Sequence, residues 1–310
     1  MTTAFISHPD CLLHGMGSFH PERPERLKAV EDELQARGVM ERLAQHSAPL
    51  ATFEQLTRVH SPEYVRFVNA AAGRASSSGL AYLDPDTAMN GHSLKAARRA
   101  AGAVILAADL VMSKEVENVF CNIRPPGHHA ERDRAMGFCL FNNIAAGVAH
   151  AMETYGLERV GVVDFDVHHG NGTEDIFRGD PRVMMVSTFQ HPFYPYSGVT
   201  GRSERMINIP LPAGSNGTVF REAVERYWIP ALENFEPQML FVSAGFDAHA
   251  DDELASLNLV ENDYAWVTER IMEIALQYAD GRIVSALEGG YDLPALGRSV
   301  AAHLSVLSDG

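Results

Sequence analysis

The sequence predicts an α/β protein: a mostly parallel β-sheet covered on both faces by helices. Three observations carry this expectation. Short segments rich in Val, Ile, Leu and Phe read as buried strands, longer segments with helical periodicity lie between them, and each strand-like segment runs into a loop loaded with polar residues. In chain order, a helix starts at Ser93, read as its N-cap, with Leu94, Ala97, Ala101, Val104, Ile105 and Ala108 on one stripe. Strands follow at 118–123, 160–165 and 182–188. The helix after Thr218 contains Pro230, where a kink or break is expected. A strand at 238–244 leads to a helix starting at Asn262 with Val267, Ile271, Ile274 and Tyr278, and a strand at 282–287 closes the series. The stretches 198–201 and 212–217 read as surface connections too short to separate domains, so residues 1–310 are expected to form a single domain.

Composition narrows the classes. The 310 residues, 46% hydrophobic and 21% charged, can bury a sizeable core, which excludes a disordered chain. The apolar run 100–108 follows Arg98 and Arg99 and stops at Asp109, so no segment reaches the length of a membrane span. The amino terminus shows neither a basic nor an apolar signal region, and the cytoplasm is the expected compartment. Cys11, Cys121 and Cys139 form no zinc pattern and no disulfide framework, so any metal must rest on nitrogen and oxygen ligands. Lys and Arg number 25 against 40 Asp and Glu, and the net charge of −15 repels nucleic acid and favours cationic substrates such as lysine-rich tails or polyamines.

In open parallel sheets ligands bind beyond the carboxyl ends of the strands. The residues found there are Arg124 to Ala130 with His128-His129, Asp164 to Gly172 with Asp166-Val-His168-His169, Gln190 to Pro195, Gly245-Phe-Asp247-Ala-His249, and Glu288-Gly-Gly-Tyr291-Asp292. Asp166 and His168 alternate in an extended segment, so both side chains project to one side and can share an ion, which Asp247 closes into a three-ligand site. Three ligands and an open position is a catalytic arrangement, and imidazole with carboxylate suits Zn²⁺, with Fe²⁺ or Mn²⁺ as alternatives. Taken singly, each residue reads better as a helix cap or a histidine satisfied by backbone; the joint placement favours the ion. His128 and His129, behind the stiff Pro125-Pro126-Gly127 turn, read as metal ligands or as acid–base groups. Gly289-Gly290 suits a tight turn that aims the Tyr291 phenol, although a lone tyrosine there would be packing.

Together these motifs resemble the histone deacetylase family, including its bacterial lysine-deacetylase and acetylpolyamine amidohydrolase branches. The resemblance runs through residues 20–26 (HPERPER), 124–130, 137–143 (GFCLFNN), 164–173, 243–247 and 288–293. It implies the arginase–deacetylase fold with a central eight-stranded parallel sheet, zinc on Asp166, His168 and Asp247, His128 and His129 as the acid–base pair, and Tyr291 as oxyanion donor. Tunnel walls are implied at Gly137 and Phe138 and at Tyr194, where phenylalanine is more usual. Asp164 corresponds to the partner of the first histidine. With Asp166, His168, Ser187 and Thr188 it resembles a monovalent-cation site, normally K⁺. Asn171 stands where some members carry an aspartate against the second histidine; lacking that carboxylate, His129 is freer to start neutral.

The reaction so implied is metal-assisted hydrolysis of an N-acetyl amide, on an acetylated lysine peptide or protein, or on an acetylated polyamine. An ungapped reading puts Leu254 at a rim position where lysine deacetylases carry leucine and a polyamine-selective branch carries glutamate; a one-residue shift would put Glu253 there. Asp86 is read either as a rim carboxylate or as a turn residue. Leu254 favours acetyl-lysine. A two-metal ureohydrolase of arginase type and a non-catalytic reader of acetylated amines are the remoter alternatives.

Overall fold

The computed structural model describes residues 2–199 and 203–309. The strands are β1 Thr3–Ser7, β2 Ala44–Ser47, β3 Ala81–Tyr82, β4 Ala88–Met89, β5 Asn118–Cys121, β6 Val160–Asp164, β7 Val183–Gln190, β8 Met206–Leu211, β9 Met239–Ala244 and β10 Ile283–Leu287. Eight of them form one sheet in the order β2-β1-β5-β10-β9-β6-β7-β8, every neighbouring pair parallel. β3 and β4 make a separate antiparallel ribbon. The five strands expected from sequence are β5, β10, β9, β6 and β7, the contiguous middle of the sheet. The three outer strands escape that reading for physical reasons. β2 (AQHS) alternates half-buried with exposed residues, β8 carries Pro210, which an edge strand tolerates, and β1 is a short run bounded by Thr3 and Ser7.

The helices are α1 Glu25–Ala36, α2 Phe53–Thr57, α3 Pro62–Ser78, α4 Ser93–Met112, α5 Asn143–Tyr155, α6 Asn171–Phe177, α7 Gly217–Ala223, α8 Ile229–Phe235, α9 Glu261–Tyr278 and α10 Leu293–Asp309. The period-2 alternation of the strands sorts their side chains into two cores. Val119, Val162 and Phe241 pack with α3, α4 and α5 on one face, while Phe120, Val163 and Val242 pack with α1, α9 and α10 on the other. No helix among the described residues is long and apolar enough to cross a membrane.

Two local expectations change, and a third is met in a specific form. Ser93 is the first residue of α4, not its cap, because its hydroxyl donates to Asn90 Oδ1 (3.0 Å) and accepts from the Asn90 N–H (2.9 Å) in the preceding turn. α9 begins at Glu261, one residue before Asn262. The break at Pro230 takes the form of a π-helical turn, Val224–Trp228, leading into α8, whose first turn absorbs the proline's missing N–H. Residues 212–216 do connect β8 to α7, which Gly217 begins, whereas Thr200 and Gly201 of the other loop lie outside the described residues.

Candidate active site

Parallel topology puts the carboxyl ends of β5, β10, β9 and β6 side by side along one edge. Asp164 pairs with Ser243 in the β6–β9 register, so the segments that leave these strands run together. They bring Asp166, His168 and Asp247 to one point, with one ligand atom from each within 4.8 Å of the others. His168 Nδ1 stands 3.0 Å from Asp166 Oδ1 and 3.3 Å from Asp247 Oδ2. Asp166 Oδ2 accepts the Gly289 N–H (2.8 Å) and Asp247 Oδ1 the Val167 N–H (2.9 Å). Asp247 Oδ2 is buried without a hydrogen-bond partner, a costly state for a carboxylate unless a cation completes it. Glycine is required around them: a methyl group on Gly245 would strike Asp166, and one on Gly289 would strike Asp247 Oδ2. Burial and the Asp166 charge push the Asp247 carboxyl up to about 6. Burial opposes a proton on His168, yet the Asp166 and Asp247 carboxylates beside its Nδ1 lift it to about 9. This donor set, bordering a cavity through His168, fits one divalent ion.

His128 and His129 lie beside this cluster with ring centroids 4.0 Å apart and planes tilted by 45°. His128 Nδ1 lies 2.9 Å from Asp164 Oδ2, and His129 Nδ1 lies 2.8 Å from Asn171 Oδ1. Both rings are buried, yet they titrate in opposite directions. Against the cost of burial, Asp166 and Asp164 hold His128 well above its ordinary pKa. Burial, then the charges of His128 and His168, hold His129 well below. Two neighbouring groups pushed apart in this way are the signature of divided acid and base roles. The loop carrying them is pinned by Glu288, whose Oε2 accepts the N–H groups of Gly127 (2.6 Å) and His128 (3.1 Å).

Tyr291 reaches the same cavity from the end of β10. Its loop is held by a buried ion network that no sequence pattern places. Glu22 pairs with Arg124 (2.6 Å) and with Arg26 (3.2 Å). Arg26 donates to the carbonyls of Gly290 (2.6 Å) and Glu288 (2.5 Å), and its guanidinium lies 4.9 Å over the Tyr291 ring. Asp252 ties the neighbouring loop to the same segment, accepting the N–H groups of Tyr291 (2.6 Å) and Leu254 (3.0 Å).

The cavity, about 210 Å³, is walled by Phe138, Tyr194 and Leu254, with Gly137 and Asp86 on its border. Leu254 lines both the cavity and an adjoining groove, whereas Glu253 lines only that groove, with Arg23, Asp251 and Asp292. Phe138 holds a left-handed φ of 69°, a conformation a bulky side chain adopts only under constraint. Asp86 supplies the constraint together with Thr87: Gly137 N–H donates to Asp86 Oδ1 (3.0 Å) and Phe138 N–H to Thr87 Oγ1 (3.0 Å). Tyr194 packs edge-on against His129 at 5.3 Å. On the buried side, Ser187 pairs with Asp164 across β6–β7, and its hydroxyl lacks a hydrogen-bond partner; Thr188 is buried beside it.

Comparison with known proteins gives a consistent picture. The histone deacetylase domain profile matches residues 20–307. The chain is 38% identical over 301 residues to a "probable deacetylase" of Archaeoglobus fulgidus, covering 94% of this chain and 82% of that one. It is 36% identical over 330 residues to a "histone deacetylase-like amidohydrolase" of Pseudomonas aeruginosa, covering 98% and 86%. The crystal structure of the HDA15 HD domain superposes with a TM-score of 0.92 at 33% identity, covering 99% of this chain and 88% of that one, and so has the same fold.

Proposed function

The chain belongs to the histone deacetylase domain family, a family of hydrolytic deacetylases, and on that premise we propose that it is a zinc-dependent hydrolase of N-acetyl amides whose substrate is Nε-acetyl-lysine in a peptide or protein. The observation that carries the reading is the pair of buried imidazoles, His128 against the Asp164 carboxylate and His129 against the Asn171 amide, beside a three-ligand acidic cluster. Asp166, His168 and Asp247 would hold a divalent ion, zinc in this reading with Fe²⁺ as the alternative, which when bound would polarise the acetyl carbonyl and lower the pKa of water from about 15.7 towards roughly 7. Neutral His129 takes the water's proton as oxygen attacks the acetyl carbon. Tyr291, a phenol held well above its ordinary pKa chiefly by burial, keeps its proton and donates a hydrogen bond to the oxyanion. His128, charged and fixed by Asp164, offsets the negative charge that accumulates. His129 then returns the proton to the departing nitrogen, and acetate and a primary amine leave. Asp164, Asp166, His168, Ser187 and Thr188 would hold a potassium ion behind the site, a role suited to the unpartnered Ser187 hydroxyl.

Apolar walls suit the methylenes of an acetylated alkylamine, and Leu254 at the mouth gives no charge to hold a free ammonium. Acetylpolyamine is the second reading, favoured by Asp251, Glu253 and Asp292 in the adjoining groove. Zinc-loaded protein assayed on acetyl-lysine peptides beside N-acetylputrescine and N-acetylspermidine decides between them; a kcat/KM strongly favouring the free amines overturns the lysine preference. No acetate from any of them would sink the deacetylase reading, and two metal ions per chain would point to the ureohydrolase arrangement.

A further inference from the structure

Asn171 is the partner of His129, but a neutral amide cannot by itself dictate which ring nitrogen carries the hydrogen. Its oxygen accepts from an Nδ1–H, and turned over, its NH₂ donates to a bare Nδ1. Only the first orientation leaves Nε2 as the basic nitrogen. The structure selects it through what lies behind the amide. Asn171 Nδ2 donates to Glu131 Oε1 at 2.7 Å, and its other near neighbours, Met136 Sδ (3.2 Å) and the His129 carbonyl (3.5 Å), are also acceptors. A carboxylate offers no donor, so the NH₂ must face Glu131 and the oxygen must face the ring, 2.8 Å from Nδ1.

We propose that Glu131 is a positioning residue, fixing His129 as the Nδ1–H tautomer through the side-chain amide of Asn171. The inference rests on the deacetylase reading of the site, in which His129 is the base. Glu131 is itself well anchored. Its N–H donates to the Arg134 carbonyl (2.9 Å), Arg134 Nη2 reaches Oε1 (3.2 Å), and its own carbonyl accepts from the buried ring of His60 (3.0 Å). The arrangement gives the ring the orientation a directly bonded carboxylate would give, while an amide separates the negative charge from the imidazole. Orientation and basicity are thereby set by different residues.

The test uses full-length, zinc-loaded protein with an acetyl-lysine peptide. E131K replaces an acceptor with a donor and turns the amide over. The expected fall in kcat is about 10²–10⁴-fold, the scale of a wrong tautomer in serine-protease catalysis, with KM and zinc content little changed. N171D placed on E131K restores an acceptor-only group facing the ring and pairs it with the introduced ammonium. We expect that double variant to exceed E131K by about tenfold or more, as for other residues that orient a first-contact group. E131Q keeps an acceptor and loses less than about tenfold. In ¹⁵N-histidine-labelled protein, the His129 proton is expected on Nδ1. The proposal is overturned if E131K keeps kcat within about tenfold, if N171D fails to improve E131K, or if the unmodified chain carries the proton on Nε2. Should E131K not fold, the nitrogen shifts of the unmodified chain decide the matter. Those shifts also judge the tautomer if no acetate is released, a result that would count against the proposed function alone.

Discussion

His60 and His303 are buried as deeply as His128 and His129, yet nothing suggests chemistry for them. The difference lies in their partners. His60 donates from Nδ1 to the Glu131 carbonyl and accepts the Asn142 N–H at Nε2 (2.9 Å). His303 sits between Thr268 (2.6 Å), whose own proton goes to the Tyr264 carbonyl, and Ser285 (2.9 Å). Every ring nitrogen there meets a neutral group of the right polarity, and burial drives the two pKa values down to about 4 and about 3. At the sheet edge the rings face carboxylates and one another. Burial is common to both regions; unbalanced charge belongs to one.

Asp247→Asn tests that distinction most severely. It should abolish acetate release and metal retention, read by elemental analysis. After chelation, the same variant should resist urea better than the chelated parent by about 1–3 kcal/mol, since a carboxylate disfavoured by burial and by the Asp166 charge has gone. If chelated parent and variant unfold alike, the cluster is not under electrostatic stress. Tyr291→Phe should retain metal and lose about 10²–10³-fold in kcat, or ~2.7–4 kcal/mol. Near-parental turnover in that variant would remove the phenol from the reaction.

On the quiet side, pH is the probe. His60 and His303 have folded pKa values below the ordinary 6.5. Their contribution to stability is therefore complete above pH 6.5 and is lost as pH falls towards their folded values, because only the unfolded chain takes up the protons. His303→Asn should lessen the stability lost between pH 7 and 5 by about 2 kcal/mol, measured as urea midpoints. An unchanged slope would mean that His303 protonates without unfolding. The smallest effect is expected at the rim. Leu254→Glu should shift the kcat/KM ratio towards acetylpolyamines by about fivefold, the scale of an exposed ion pair.

Legibility follows sequence distance. The five middle strands are readable because strands buried on both faces are continuous apolar runs, and the polar doublets of the candidate site are readable because each sits at the end of such a run. Their supports are not. Arg26 reaches the Gly290 carbonyl across 264 residues, and no local pattern announces that contact. Glu288, Asp252 and Glu131 likewise act on backbone or amide groups far along the chain or around a turn. The choice between Leu254 and Glu253 needs the Asp252 turn, which only the folded loop reveals.

The crowding at Gly245 and Gly289 has an evolutionary reach. Beneath the reacting atoms no side chain can be added without displacing a carboxylate, whereas Leu254 and Tyr194 border open space and tolerate exchange. A lineage can therefore change what it feeds on by altering the doorway, one residue at a time, while its hydrolytic floor stays frozen.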